Sequence, residues 1–232
     1  MNLRVLGLAL VALAATACSD DEVVEVKDYG VHSFEGDLAY STEIADNATH
    51  GDGSVAYTRQ VFLAFGSEDP VATAKHGTDN WTDFNLVEGD NYNVSSEVTG
   101  WDLVMTYYIE PIQMGSTLYE YGVTGVLSNS DNITEIAKFE YTPSASEDVA
   151  AVFAYDISIA SFDTVQFSTD VDALGRNWKS VDMNTSMYTV NDNLFYAIRT
   201  KAGETYKLRF TGFHGAIADD RIIQFDYALM EN

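Results

Sequence analysis

One cysteine is present, Cys18. A single thiol excludes an internal disulfide framework, so the fold must be held by its apolar core. Basic residues are few: 12 Lys and Arg stand against 36 Asp and Glu, a net charge of −24. A surface of that sign repels phosphodiester backbones and anionic headgroups, which excludes nucleic acid and direct lipid binding. It leaves open an anionic small ligand in a local pocket. The four histidines, His32, His50, His76 and His214, are scattered and match no zinc spacing. There is no G-x-S-x-G nucleophile elbow and no glycine loop that would cradle phosphate. No apolar run has the length of a membrane-spanning helix. Proline, at three residues, is rare enough to leave long strands uninterrupted.

What is there begins at the N-terminus. Arg4 precedes an apolar run from Val5 to Ala15, and A-A-T-A-C ends it at Cys18. That order reads as a lipoprotein signal peptide over 1–17, with Cys18 becoming the lipidated first residue. An ordinary secretory signal cut after A-T-A is the other reading. Residues 18–28, C-S-D-D-E-V-V-E-V-K-D, read as an acidic tether. Ser19 follows the cysteine and the acids come after it, which points to the outer membrane, reached only through a lipid anchor.

From residue 29 to 232 the pattern predicts one all-β domain, a single antiparallel β-sandwich-like fold. Tyr and Phe are abundant at 14 and 12 residues, and period-2 alternation recurs. Val61, Leu63 and Phe65 alternate with Phe62 and Ala64, a strand apolar on both faces. Trp101, Leu103 and Met105 are expected on one face of a strand that stops before Pro111. The run V-A-A-V-F-A-Y-D-I-S-I from Val149 is read as a buried strand, on its β-branched and aromatic content. The C-terminus predicts a three-stranded meander: L-F-Y-A-I-R-T, the turn K-A-G-E, T-Y-K-L-R-F, a loop T-G-F-H-G-A-I-A-D-D, then R-I-I-Q-F-D-Y.

Chemistry is sparse. D-N-A-T-H-G-D-G-S (46–54) and E-G-D-N-Y-N (88–93) gather oxygen donors without the EF-hand spacing, and read as solvated acidic turns. A glycan-active enzyme would need two carboxylates roughly 5–10 Å apart, which abundance of acids alone does not identify. The stretch W-K-S-V-D-M-N-T-S-M-Y-T-V (178–190) stands out, with Met183 and Met187 in a polar loop. Thioethers there are either plugs under the loop or soft metal ligands.

Several of these segments together resemble the HmuY family of bacterial haem-binding lipoproteins. They are W-D-L-V-M-T-Y-Y (101–108), V-T-G-V-L-S-N (123–129), Trp178 with the loop it opens, and the C-terminal meander. The likeness covers about residues 55–230. It implies an all-β fold that grips haem between loops, no enzymatic activity, and transfer of haem to an outer-membrane transporter. Members ligate iron with a His pair or with Met residues. On that resemblance Met183 or Met187 is the expected iron ligand. A second ligand would come from Met114, His76, or a tyrosine such as Tyr141 or Tyr155, since 135–165 holds neither His nor Met. Lys179 and Arg176 are the cations expected to meet the haem propionates. The alternative is a non-haem binding or adhesion lipoprotein that keeps the fold without the iron ligands.

Overall fold

The computed structural model describes residues 30–38, 57–67, 69–87, 96–182, 184–185, 187–214 and 222–231. Cys18 with the signal and tether segments, the two oxygen-rich loops at 46–54 and 88–93, and Met183 lie outside the described residues.

Among the described residues twelve strands occur in order: β1 His32–Asp37, β2 Arg59–Leu63, β3 Ala72–Lys75, β4 Leu103–Met114, β5 Thr117–Ser128, β6 Ile133–Glu140, β7 Phe167–Ser168, β8 Lys179–Asp182, β9 Met187–Val190, β10 Leu194–Thr200, β11 Thr205–His214 and β12 Ile222–Leu229. A six-stranded sheet runs β1-β12-β11-β10-β6-β7, and a four-stranded sheet runs β3-β2-β4-β5. β8 and β9 form a separate two-stranded ribbon. Pairing between these strands is antiparallel throughout. The expected all-β, antiparallel sandwich is what the chain adopts.

The two sheets face each other across the main core. Val61, Leu63, Leu103, Met105 and Val126 of the smaller sheet meet Tyr196, Leu208, Phe210, Ile223 and Phe225 of the larger. The meander alternates as its sequence demands, with Tyr206, Leu208 and Phe210 inward on β11. The outer faces are covered as well. Phe62, Trp101, Val104, Tyr108 and Leu127 form a second cluster behind the smaller sheet. Phe195 and Ala197 of the larger sheet pack under Val152, Phe153, Ile157 and Phe162. Both sheets are therefore sealed on both sides, which is why Val61-Phe62-Leu63 shows no polar face.

Four local expectations need correction. Trp101 does not share a face with Leu103 and Met105: it precedes β4 and packs behind the smaller sheet against Phe62, at 5.4 Å between ring centroids. Pro111 does not end its strand. It pairs with Glu120 toward the tip of the long β4–β5 hairpin, beyond the part of β4 that β2 covers, so no ladder bond needs its missing N–H. The T-G-F-H stretch belongs to β11 and is not loop.

The fourth correction is the largest: Val149–Ile159 is helical. A turn at Val149–Ala151 leads into a π-helical turn at Val152–Asp156, then a 3-10 turn at Ile159–Phe162. Asp148 caps the start by accepting from the Ala150 N–H at 2.9 Å. Lys207, 6 % exposed, holds the far end. Its Nζ donates to the carbonyls of Phe153 (2.6 Å), Ala154 (3.0 Å) and Ile157 (3.0 Å). A cation at the C-terminal carbonyls of a helical turn is the favourable end of the dipole. The residue that holds its far end lies some fifty positions away, beyond the reach of a local pattern.

Replacing Lys207 by Met leaves those three carbonyls without their donor. We expect a loss of about 2–3 kcal/mol, the scale of hydrogen bonds to a charged group, read by urea denaturation. Faster amide exchange over 152–157 should accompany it. A loss below about 0.5 kcal/mol would mean that the helical excursion stands without the lysine.

Candidate functional site

The β4–β5 hairpin is twelve residues long on each arm and outreaches the rest of its sheet. The β8–β9 ribbon stands beside it. Between them lies an open cavity of about 310 Å³, lined by Tyr57, Tyr107, Tyr121, Gly122, Val123, Thr124, Arg176, Lys179, Ser180, Val181 and Tyr188. Its walls are aromatic and its charges are both positive.

Glycine permits two close approaches at and beside these walls. Tyr107 of β4 stacks on Tyr57 at 5.5 Å and 27°. Its hydroxyl lies where a Cβ on Gly122 would have to be, so the bare backbone of β5 lets the ring lie across it. Gly125 does the same for the chain entering β8. Val126 and Gly175 exchange both backbone hydrogen bonds at 3.0 Å, and a side chain at 125 would collide with the Gly175 carbonyl. Gly175 itself takes φ +50°, in the left-handed region that favours glycine.

Trp178 fixes the start of β8. It is fully buried, its Nε1–H donates to the Gly175 carbonyl at 2.9 Å, and it stacks on Phe210 at 4.0 Å and 10°. Phe213 meets its edge at 5.8 Å and also meets Tyr188 at 4.9 Å. Phe213 reaches this side only because β11 slips register between Phe210 and Gly212. The extra residue turns Phe213 to the same side as Phe210, as a bulge does. Sequence reasoning missed Phe213; the only hint was the glycine before it.

The expected cations come together here. Arg176 Nε donates to the Glu110 carboxylate. Lys179 lies over Trp178 (4.2 Å to the ring centroid) and Phe213 (4.7 Å), and its Nζ donates to the Thr124 carbonyl at 2.5 Å. No carboxylate pairs with it among the described residues. Burial pushes Lys179 down to about 7, the neighbouring Arg176 charge adds to the shift, and Glu110 opposes it.

The thioethers are placed differently. Met187 opens β9 opposite Asp182 and is 48 % exposed. It is not among the lining residues, since Tyr188, its neighbour on the strand, takes that face. Met114 sits at the tip of the β4–β5 hairpin, 61 % exposed and also outside the lining. His76 packs edge-on against Trp81 at 5.0 Å, Tyr141 donates to Glu147, and Tyr155 is exposed on the helical excursion. No group of three or more His, Cys, Asp or Glu suited to a metal ion occurs among the described residues.

A family model described as "HmuY protein" matches residues 77–227. No curated protein matches. Among solved structures, the chain is similar to a Bacteroides vulgatus protein described as HmuY-like and heme-binding. The identity is 14 %, with 88 % of this chain and 95 % of that chain covered and a TM-score of 0.43. It is also similar to a Bacteroides fragilis protein described as a lipoprotein (14 % identity, 90 % and 91 % covered, TM-score 0.40). An apo HmuY analog from Tannerella forsythia matches at 10 % identity, with 90 % and 100 % covered and a TM-score of 0.33.

The depressed lysine makes a prediction with a definite sign. The unfolded chain holds the Lys179 proton up to about 10.5, whereas the folded chain releases it from about 7. Between those values the unfolded state binds more protons, so stability rises with pH. Lys207 shifts in the same direction and stays in both proteins. Subtracting the Lys179→Met curve from the wild-type curve should therefore leave a rise from pH 7 to 9, measured by chemical denaturation. Parallel curves would show that Lys179 is fully hydrated.

Proposed function

Because the chain belongs to the HmuY family, we propose that it is a haem-binding lipoprotein without enzymatic activity that passes its ligand to an outer-membrane transporter. The observation that carries this reading is the cavity between the two hairpins, with tyrosine walls and two cations. A porphyrin is a flat apolar plate with two carboxylate tails, and this residue set suits that chemistry. Tyr57, Tyr107, Tyr121 and Tyr188 would cover the plate. Arg176 and Lys179 would take the carboxylates. Iron would supply a Lewis-acid centre for a soft sulfur donor. On the sequence argument that donor is Met183, with Met187 or Met114 as the other candidates.

A second reading has its own support. Among the described residues neither His nor Met lines the cavity. The same walls would then hold a flat anionic ligand with no metal, or the hairpins would serve adhesion. In both readings we propose that Cys18 carries the lipid anchor, which sets the protein on the outer membrane. No helix among the described residues is long and apolar enough to cross a membrane. We further propose the boundaries 1–17 for the signal, 18–28 for the tether and 29–232 for one binding domain.

Haemin titration of the purified protein, read by visible absorption in the ferric and ferrous states, separates these readings. The haem reading expects a saturable Soret shift, with Met183→Ala or Met187→Ala weakening binding by about tenfold or more (at least 1.4 kcal/mol). No saturable shift in either oxidation state would sink it and leave the metal-free reading.

A further inference from the structure

Lys179 stands out among the charged groups of the cavity. Arg176 has Glu110 as counter-charge. Lys179 is pressed between the Trp178 and Phe213 rings and Thr124, and its hydrogen-bond acceptor is a backbone carbonyl. Two aromatic faces and one carbonyl hold an ammonium loosely compared with a carboxylate, and a desolvated cation without a counter-ion is costly. The position is incomplete on the protein side and opens into the cavity that the ligand would enter.

We propose that Lys179 is a proton switch for this cavity: its amine takes up a proton from solvent when an anionic group of the ligand arrives as its counter-ion. The proposal rests on reading the cavity as a ligand site, and it deepens that reading by giving it a regulation. The depressed affinity of Lys179 for its proton supports the idea, because near neutral pH the amine is divided between its two forms. The ligand's negative charge favours the protonated form, so the two bind with positive coupling, and lowering the pH tightens the ligand. The other groups that face the lysine are Arg176 on the approach to β8, Glu110 and Tyr107 on β4, Tyr121 on β5 and Tyr188 on β9. Substitution at 179 alone separates its contribution from theirs.

The test uses the full-length protein and two iron-free probes at pH 6 and pH 8.5. One is protoporphyrin IX, a flat dicarboxylate. The other is anilinonaphthalene sulfonate, a flat sulfonate that stays anionic throughout. Both are read by fluorescence against wild type, Lys179→Arg and Lys179→Met. Wild type should bind each probe at least about tenfold more tightly at pH 6. Lys179→Arg, permanently charged, should lose the pH dependence while keeping affinity. Lys179→Met should be weak and flat at both values. A wild-type slope surviving in Lys179→Met overturns the switch and leaves the porphyrin reading standing. A Lys179-dependent slope with the sulfonate but no porphyrin binding upholds the switch and removes the porphyrin reading. Failure of both probes to bind overturns the two together.

Discussion

Trp178 is the contact on which the rest depends. Its ring stacks on Phe210 of the larger sheet, its indole N–H holds Gly175, and Gly175 in turn is bridged to Val126 of the smaller sheet. One buried side chain thus links both sheets and the strand that begins one residue later. Because Lys179 comes directly after it, the position of the cation is set by the packing of the tryptophan. A stacked pair of large rings at this spacing is worth more than its buried area alone. The rigidity of the core is passed to the site without an intervening flexible loop.

The same logic explains the glycines. Gly122 and Gly125 are the places where β5 accepts a neighbour on top of its own backbone: the Tyr107 ring at one, the Gly175 carbonyl at the other. Glycine in a strand weakens the strand, and its presence marks a close approach. Here the first approach forms part of the cavity wall, and the second fixes the chain that leads to Arg176 and Lys179. The glycine of the V-T-G-V segment is therefore where the backbone of β5 receives the chain that leads into β8.

How much of this was legible in the sequence depends on whether burial has a period. The meander could be read because the inward faces of β11 and β12 alternate with Lys207, Arg209, Gln224 and Asp226. The meeting of Arg176 and Lys179 at one site was also within reach, because both cations lie at the start of the same short strand. Where both faces of a sheet are sealed, the period disappears. Trp101 could then be assigned to the wrong cluster, and the Val149 run could pass for a strand. The far end of that helical run is held by a lysine on β11, and what brought Phe213 against Trp178 and Lys179 was a one-residue slip in the same strand. Both are long-range consequences of how one strand is registered. Met114 and Met187 show the complementary limit: chemistry suited to a role does not say which face of a ribbon a side chain takes.

The charge of the chain and the charge of the cavity point in opposite directions, and distance reconciles them. A protein of net charge −24 should repel an anionic ligand at long range. Interactions between exposed charges are largely screened beyond the Debye length, about 8 Å at physiological ionic strength. Inside that distance an anionic ligand of the proposed kind would meet Arg176 and Lys179 in surroundings of lower dielectric, where each charge acts more strongly than in water. Arg176 is already compensated by Glu110, so the net attraction falls on Lys179. The acidic surface would slow encounter with such a ligand, more so at low salt, while the cavity would govern its residence. An acidic exterior is thus compatible with an anionic ligand, provided that at least one cation inside is left without a counter-charge of its own.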